Sequence, residues 1–349
     1  METTAQPRIR DLSLQELEDL VSDLGEKPFR ARQIFQWLWQ KGATSFEEMT
    51  NIAKPFREKL AAETHLDIST LLTRTPSSTG TSKFLTRFED GRHVETVIIP
   101  EARRVTVCVS SQVGCALDCD FCATGKMGLK RNLTSGEILD QLRYARELSK
   151  RPITNIVFMG MGEPFHNYDQ VIKAAYVMHD ELGFSHGARK ITISTSGLVP
   201  QIRRFTEEGH RFKLAVSLNA SNDHIRTAIM PVNKRWPMEE LIKACQDYTT
   251  GSSNMMTFEY VLLDGLNDGI ADAKRLLQIG RQVFCKVNVI PYNEIGGEYR
   301  RPSKERIDTF LTELEHARFP VTVRWSAGSD IDAACGQLST ASLELEEKA

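Results

Sequence analysis

The 349-residue sequence predicts an α/β fold, in which a mainly parallel sheet, open or rolled into a barrel, follows a small helical N-terminal domain. Three observations predict it. From residue 103 onward, β-branched runs alternate with amphipathic helical stretches. Between residues 13 and 62 the apolar spacing is helical, and two short β-type runs then flank a turn pair. Strands that alternate with helices are joined by right-handed crossovers, which make neighbouring strands parallel.

The composition is that of a globular protein without a bulk charge bias. Hydrophobic residues make up 41% and charged residues 26%, which permits a large core and excludes wholesale disorder. Lys plus Arg (44) nearly balance Asp plus Glu (46), so net charge does not draw the whole chain to nucleic acid or membrane. No run approaches the roughly 18 apolar residues of a membrane span, and the opening residues lack a signal-peptide core. We therefore expect a cytoplasmic protein.

The N-terminal helices are predicted from local signals. Ser13-Leu-Gln-Glu16 has the pattern of a capping box, and a second helical run covers residues 29–39. The stretch 75–82 has the Ser/Thr/Gly/Pro composition of a loop. We therefore predict a helical accessory domain over residues 1–80.

A β-hairpin linker is predicted over residues 81–102. The runs KFLTRF and RHVETVII flank Asp90-Gly91, a strong short-range hairpin signal. Glu95 lies on the second strand, on a face that is otherwise apolar. A carboxylate there is either a residue at the solvent rim or a functional acid or base with a raised pKa.

Residues 103–330 form the predicted α/β core. Its candidate strands are 105–110, 153–160, 189–196, 212–219, 256–263, 286–292 and 321–325. Its candidate helices are one opened by the capping box Thr134-Ser-Gly-Glu137 and others near 168–182, 239–249, 270–284 and 304–317. In such sheets ligands bind at the carboxyl ends of the strands, so functional residues are expected there.

The cysteine pattern is the most informative feature. Seven cysteines without an export signal indicate reduced thiols, metal ligands or catalysis rather than a disulfide framework. Cys115, Cys119 and Cys122 form a CxxxCxxC motif after the first core strand, so three thiolates can converge from one loop. A closed zinc site needs four ligands, whereas three ligands on a four-iron cluster leave one iron open. A structural zinc completed by a distant residue is the alternative.

The strings SSQVGCALDCDFCATGKMGLKRNLT, FMGMGEP and DIDAACGQL resemble radical S-adenosylmethionine (SAM) enzymes, and specifically the RlmN/Cfr family of RNA adenosine methyltransferases. The resemblance covers essentially the whole chain. It implies a partial (βα)6 barrel, one 4Fe-4S cluster on the three cysteines and two SAM molecules per turnover. The stretches beginning at Val113 and Gly162 resemble the branch that methylates adenine C2, with C8 methylation as the alternative.

The resemblance also implies a SAM site. Gly162 and Glu163 end the second core strand, and the Glu163 side chain is expected to bind the methionyl amine. Asn219 replaces a histidine that many relatives carry. Contacts to the ribose, carboxylate and adenine are expected from residues at the ends of later strands: Ser194, Ser217, Leu218, Asn219 and Asn293.

Three further residues receive catalytic roles from the resemblance. Cys335, in the C-terminal segment 331–349, is methylated by one SAM and carries the methyl to RNA. Glu95 accepts the C2 proton, and Cys108 resolves the covalent protein–RNA adduct by forming a disulfide. Taken alone, Cys108 and Cys335 would each be read as small buried hydrophobic residues. Cys245 and Cys285 have no partner spacing and are predicted to be core residues.

The implied partners are 23S rRNA and tRNA, and an electron donor such as a flavodoxin or ferredoxin, with the protein acting as a monomer. An RNA-binding protein with a structural metal and no catalysis is the competing hypothesis. The basic residues near the site could neutralise phosphates or be ordinary solvated surface. They are Arg103-Arg104, Lys126, Lys130-Arg131, Arg189-Lys190, Arg203-Arg204 and Arg300-Arg301, with Arg30, Arg32 and Lys41 in the N-terminal domain. The N-terminal aromatic residues Phe35, Trp37 and Trp39 are predicted to be core.

Overall fold

The computed structural model describes residues 6–66, 69–252 and 254–340, and it confirms the α/β class. The helices are α1 (Leu14–Asp23), α2 (Phe29–Trp39), α3 (Lys54–Glu63), α4 (Ala123–Lys126), α5 (Ser135–Leu148), α6 (Tyr168–His179), α7 (Val199–Glu207), α8 (Asp223–Ile229), α9 (Met238–Ser252), α10 (Ile270–Gly280) and α11 (Lys304–Leu314). The strands are β1 (Thr70–Pro76), β2 (Ser82–Arg87), β3 (His93–Pro100), β4 (Val105–Cys108), β5 (Gln112–Val113), β6 (Arg131–Asn132), β7 (Asn155–Phe158), β8 (Ile191–Thr195), β9 (Lys213–Ser217), β10 (Met256–Leu262), β11 (Cys285–Pro291) and β12 (Val321–Val323).

One ten-stranded sheet organises the molecule, in the order β1-β2-β3-β4-β7-β8-β9-β10-β11-β12. The pairs from β1 to β4 are antiparallel, and every pair from β4 to β12 is parallel. The predicted core strands are all present, while α4, α7 and α8 are additional helices. The order runs from one edge strand to another without closing, as a partial barrel requires.

The predicted β-hairpin is present as β2 and β3, but the structure extends it with a strand on either side. Residues Thr70–Pro76, expected to end the helical domain and begin a loop, form β1 and pair with β2. In addition, β3 pairs with β4, so the hairpin continues the main sheet. The Ser/Thr/Gly/Pro composition of residues 75–82 predicts a loop and does not indicate β1. This strand depends on pairing with a later segment, and its own side chains are mostly exposed, so its sequence lacks an apolar strand pattern.

The two faces of the sheet differ. On β7, Ile156 and Phe158 are buried, whereas Asn155 and Val157 are half-buried. Side chains alternate along a strand, so the half-buried set lies on one face, which we call the inner face. Cys108 pairs in register with Val157 and therefore lies on the inner face. The functional residues discussed below gather at the carboxyl ends of the strands on this side.

The N-terminal helices dock on α5 through a buried ion pair. Arg10 Nη1 lies 2.6 Å from Asp140 Oδ1, and Arg10 also donates to the Ala43 carbonyl. Phe35 and Trp39 are buried, as predicted, while Trp37 is only partly buried. In the part of the chain that the structure describes, no helix combines the length and apolar character needed to cross a membrane.

Candidate active site

The CxxxCxxC cysteines lie on one loop between β5 and α4. Asp118 within it adopts a left-handed conformation (φ +48°), and the Cys122 amide donates to the Cys119 carbonyl at 3.1 Å. Burial raises the pKa of the Cys119 thiol, and the thiols of Cys122 and Cys115 raise it further. The three thiols therefore lie within electrostatic range of one another.

This arrangement fits a cluster better than a single ion. Within residues 6–66, 69–252 and 254–340, no group of three or more His, Cys, Asp or Glu side chains is arranged to hold a metal ion. A closed zinc site requires four ligands around one ion, whereas a 4Fe-4S cluster binds its thiolates at separate corners. Cys115, Cys119 and Cys122 would hold three of those corners.

Arg226 of α8 supplies a buried cation beside this loop. Its guanidinium donates to the carbonyls of Ser196 (2.6 Å), Ser217 (3.2 Å) and Leu218 (3.0 Å), and to Asn233 Oδ1 (2.9 Å). Burial lowers its pKa to about 10, and the thiol of the middle cluster cysteine opposes that shift. The residue joins the ends of β8 and β9 and places positive charge beside the thiolates that a cluster requires.

Gly160 and Gly162, which follow β7, pack closely against the neighbouring segment of residues 109–112. A Cβ at Gly160 would lie 2.7 Å from Ser110 Oγ. Gly162 has φ +97°, and a Cβ there would lie 2.5 Å from Gln112 Cβ. Gln112 in turn accepts a hydrogen bond from the Glu163 amide at 2.8 Å. The close approach of these segments therefore fixes the backbone at Glu163.

Glu163 is a buried carboxylate held by backbone amides. Its Oε1 accepts from the Phe165 amide (2.9 Å) and its Oε2 from the Ser196 amide (2.8 Å). Burial raises its pKa, while these amide hydrogen bonds lower it. A ligand ammonium group would compensate its charge, as expected for a residue that binds the methionyl amine of SAM.

The predicted SAM contacts on β8 and β9 lie at the carboxyl ends of those strands. Ser194 pairs in register with Ala215, and Ala215 lies two residues before Ser217 on β9, where Ser217 pairs with Glu259. The two serines therefore lie on the same face of the sheet, the inner face. Leu218 follows β9 and is fully buried; its amide donates to the Glu259 carbonyl at 2.9 Å, and its carbonyl accepts from Arg226. Their roles toward SAM stay predictions.

Asn219 and Asn293 have protein partners that the sequence did not reveal. Asn219 is left-handed (φ +54°), and its Oδ1 accepts from the Val261 amide at 3.0 Å. Asn293 donates from Nδ2 to Ser326 Oγ (2.9 Å) and to the Cys335 carbonyl (3.1 Å). Both side chains therefore hold the scaffold of the site, and Asn293 positions the predicted methyl carrier.

Cys335 lies in an irregular stretch of chain, and from here on the C-terminal segment means residues 328–340. The rest of the predicted segment 331–349, beyond residue 340, lies outside the described residues. Contacts from several elements fix it in place. Ser77 and Ser78 donate to Asp330, the Ala123 amide donates to the Gly336 carbonyl, Thr124 Oγ1 donates to the Leu338 carbonyl, and the Ser339 amide donates to Glu95. The segment thus connects the β1–β2 turn, the first residues of α4 and β3.

These contacts bring Cys335 close to Cys108. Burial raises the pKa of Cys108 to about 12, and Cys335 is near enough to raise it further, while Arg324 lowers it. Cys335 as a whole residue is exposed, but the surrounding protein buries its thiol group. This burial raises the pKa of the Cys335 thiol to about 11, and Arg324 again lowers it. The structure therefore brings the two predicted thiols together with one shared cation.

Glu95 lines a cavity of about 660 Å³. Its Oε1 lies 2.8 Å from Lys83 Nζ, and its Oε2 accepts from the Ser339 amide at 2.9 Å. Burial raises its pKa, and Lys83 lowers it. Glu95 is therefore buried rather than placed at the solvent rim, and its role as an acid or base stays a prediction. The cavity is bounded by strands β1 to β3, the C-terminal segment and residues 294–296.

Sequence reasoning missed Arg226, Arg324 and Lys83. Arg226 lies on α8, a short helix of mixed composition that follows Asn222, whose side chain accepts from the Ile225 amide. Arg324 directly follows β12, within the predicted strand 321–325. A charged residue inside a mostly apolar predicted strand was the available signal for Arg324, whereas the mixed composition of α8 gave no such signal for Arg226.

Several of the basic residues that could contact phosphate or be solvated surface have intramolecular partners. Arg131 pairs with Asp90 and Glu137, and Arg204 pairs with Asp169 and Glu208. Lys126 pairs with Asp120, and Arg301 donates to the Tyr292 carbonyl and Asn293. Cys245 and Cys285 are buried, as predicted.

Known proteins match this chain both in sequence and in fold. The model for the ribosomal RNA large subunit methyltransferase N-terminal domain matches residues 8–66, and that for the radical SAM superfamily matches residues 109–277. A crystal structure of a radical SAM methyltransferase from Sphaerobacter thermophilus superposes with a TM-score of 0.90 and 47% identity, covering 95% of this chain and 99% of that one.

The fold and the three-cysteine loop together define a radical SAM enzyme, for which a 4Fe-4S cluster and SAM are the cofactors. Two relatives identify the family. The dual-specificity RNA methyltransferase RlmN of Anaeromyxobacter sp. (strain Fw109-5) is 48% identical over 342 residues, covering 95% of this chain and 90% of that protein. That of Syntrophobacter fumaroxidans is 45% identical over 333 residues, covering 95% and 97%. The chain therefore belongs to the RlmN family of radical SAM methyltransferases, which confirms the resemblance.

Proposed function

We propose that the protein methylates C2 of adenosine in 23S rRNA, with tRNA as a second substrate. The names of the relatives support RNA as the substrate class. The observation that carries the proposal is the convergence on the C-terminal segment. Cys335 lies within electrostatic range of both Cys108 and Cys122, and the same segment is hydrogen-bonded to Glu95.

The reaction needs these groups close together because C2 of adenine is not nucleophilic and a radical route must deliver the carbon to it. Polar attack on the methyl of SAM has no electron pair to use. The cluster held by Cys115, Cys119 and Cys122 supplies, when bound, the electron for reductive cleavage of SAM. Two SAM molecules are consumed per turnover, because one donates the methyl and the other is cleaved.

The chain's own residues perform the remaining steps. Cys335 sulfur accepts the methyl of the first SAM and, after the 5′-deoxyadenosyl group of the second SAM has taken one hydrogen atom from that methyl, holds the carbon that bonds to C2, which makes a covalent protein–RNA adduct. The unpaired electron of the adduct leaves as the C2 proton is lost, and the cluster, when bound, would be suited to accept it. Glu95 accepts the C2 proton. Cys108 thiolate then attacks Cys335 sulfur, so that an S–S bond forms, the S–C bond breaks and its electron pair is protonated to give the methyl group.

Two reductants follow from this chemistry. Cleavage of SAM needs a one-electron donor, for which a flavodoxin or ferredoxin is suited, and the Cys108–Cys335 disulfide must be reduced before the next cycle. All the residues in the proposal belong to one chain, which supports a monomer. We propose that it acts in the cytoplasm, where its RNA substrates are made.

Mass spectrometry of nucleosides tests the proposal. Anaerobic protein with SAM, a reductant and 23S rRNA or tRNA fragments should yield 2-methyladenosine. Cys119→Ala should deplete iron and abolish both SAM cleavage and product, whereas Cys245→Ala, a buried cysteine outside the site, should retain them. A product of 8-methyladenosine would contradict the C2 assignment, and a colourless zinc protein without SAM cleavage would contradict catalysis altogether.

A further inference from the structure

A lysine on β2 lies against the predicted base. Lys83 Nζ is 2.8 Å from Glu95 Oε1, and the two side chains are only 16% and 10% exposed. The same ammonium group donates to the Asp332 carbonyl at 3.2 Å. Lys83 therefore connects the carboxylate of β3 to the C-terminal segment.

The contact with the C-terminal segment is made on both sides of Cys335. Lys83 binds the carbonyl of Asp332, three residues before it, and Glu95 Oε2 accepts from the amide of Ser339, four residues after it. Asp332 is left-handed (φ +50°), an uncommon conformation for a residue other than glycine. The Lys83–Glu95 pair thus fixes the segment on either side of the reactive sulfur.

The charges around Glu95 make the lysine chemically important. Burial raises the pKa of Glu95, the Lys83 ammonium lowers it, and the Asp332 carboxylate raises it. Glu294 also lines the cavity and adds negative charge to it. An ionised base in this setting depends on Lys83, because Lys83 is the cation paired with Glu95, while the Asp332 carboxylate opposes ionisation.

We propose that Lys83 is a positioning residue that keeps Glu95 ionised toward the cavity and sets its place relative to Cys335. The inference rests on the proposed function, in which Glu95 removes the C2 proton. Each carboxylate oxygen has two lone pairs, so Oε1 can bind Lys83 and still accept a proton. The C2–H bond breaks, its electron pair stays on the purine, and the proton passes to Glu95.

Loss of deuterium from C2 isolates this proton step. In a Cys108→Ala background, RNA deuterated at C2 forms an adduct whose retained deuterium is read by mass spectrometry. Lys83→Met should load methyl on Cys335 normally but lose deuterium about tenfold more slowly or worse near neutral pH, since an opposite charge at this distance shifts a carboxyl pKa by about 1–3 units. Because a less ionised Glu95 needs higher pH, the acidic midpoint should move upward.

Two variants test whether the charge is the cause. Lys83→Arg keeps the cation and should restore deuterium loss to within about threefold of the parent. Arg87→Met removes a positive charge from an exposed position on the same strand and should leave the acidic midpoint unchanged. If Lys83→Met behaves like Arg87→Met, or if Lys83→Arg is as slow as Lys83→Met, the positioning role is wrong.

Other outcomes separate this inference from the proposed function. Loss of Cys335 methylation in Lys83→Met would show a structural role and overturn the inference. Glu95→Gln should retain the deuterium almost completely. Normal deuterium loss in Glu95→Gln would overturn the proposed base itself, whereas a defective Glu95→Gln beside a normal Lys83→Met would overturn only the role of Lys83.

Discussion

The rate at which Cys108 releases the RNA adduct should depend steeply on pH. Thiolate, and not thiol, attacks sulfur, and burial raises the pKa of Cys108 to about 12. With that pKa, about one molecule in 100,000 carries the thiolate at neutral pH, and about one in 1,000 two pH units higher. Release should therefore accelerate about tenfold per pH unit, about a hundredfold in all.

The assay follows the adduct directly. Enzyme and end-labelled RNA form the adduct at neutral pH, the pH is then raised, and samples are run on a denaturing gel. The adduct migrates with protein and vanishes on nuclease digestion. Cys108→Ala should form it and fail to release it, Cys335→Ala should never form it, and the double variant should behave like Cys335→Ala.

A matched control keeps the test specific to the position of the thiol. Cys245→Ala removes another buried cysteine and should leave formation and release of the adduct unchanged. Normal turnover of Cys108→Ala, or adduct formation by Cys335→Ala, would refute the two-cysteine mechanism. A release rate that does not change with pH would show that the Cys108 thiol is not the titrating nucleophile.

Three further predictions follow from the contacts around the site. Arg226→Met leaves buried carbonyl acceptors without their donor and should lower the free energy of unfolding by about 3 kcal/mol or more, measured in urea, and reduce the iron content. Gly162→Ala would place its Cβ 2.5 Å from Gln112 Cβ and should weaken SAM binding at least about tenfold in a calorimetric titration. If Arg203 contacts phosphate, Arg203→Ala should reduce the slope of log binding constant against log salt concentration for RNA binding by about one unit. Arg204→Ala, which loses ion pairs within the chain, should instead lower the melting temperature. An unchanged salt slope for Arg203→Ala would show that Arg203 is ordinary solvated surface.

Local features of the site were predictable from sequence because short segments determine them. The Thr134 capping box forms as expected, with the Glu137 amide donating to Thr134 Oγ1 at 3.2 Å. The CxxxCxxC spacing likewise requires only a loop of eight residues. Both signals lie within one turn or loop, so no knowledge of distant partners is needed.

Long-range partners were not predictable in the same way. Residues of β1 form a strand because β2 pairs with them, and nothing in their own composition identifies that partner. The resemblance implies Asn293 as a SAM contact, but nothing in the sequence indicates that its amide binds the Cys335 carbonyl, 42 residues away in the chain. A pattern locates a polar side chain at the edge of a sheet, but folding determines which groups it meets.

The position of the reactive sulfur is therefore determined by the sheet and the cluster loop more than by its own segment. Cys335 lies in irregular chain whose bends at Gly328, Asp332 and Gly336 are left-handed and are held by contacts to β3, the end of β11 and the loop before α4. A helix or strand would orient the sulfur toward one neighbour only. An irregular segment fixed at several points can hold the same sulfur within electrostatic range of Cys108 and of Cys122, while Asp332 and Ser339 on either side of it line the cavity that Glu95 also lines.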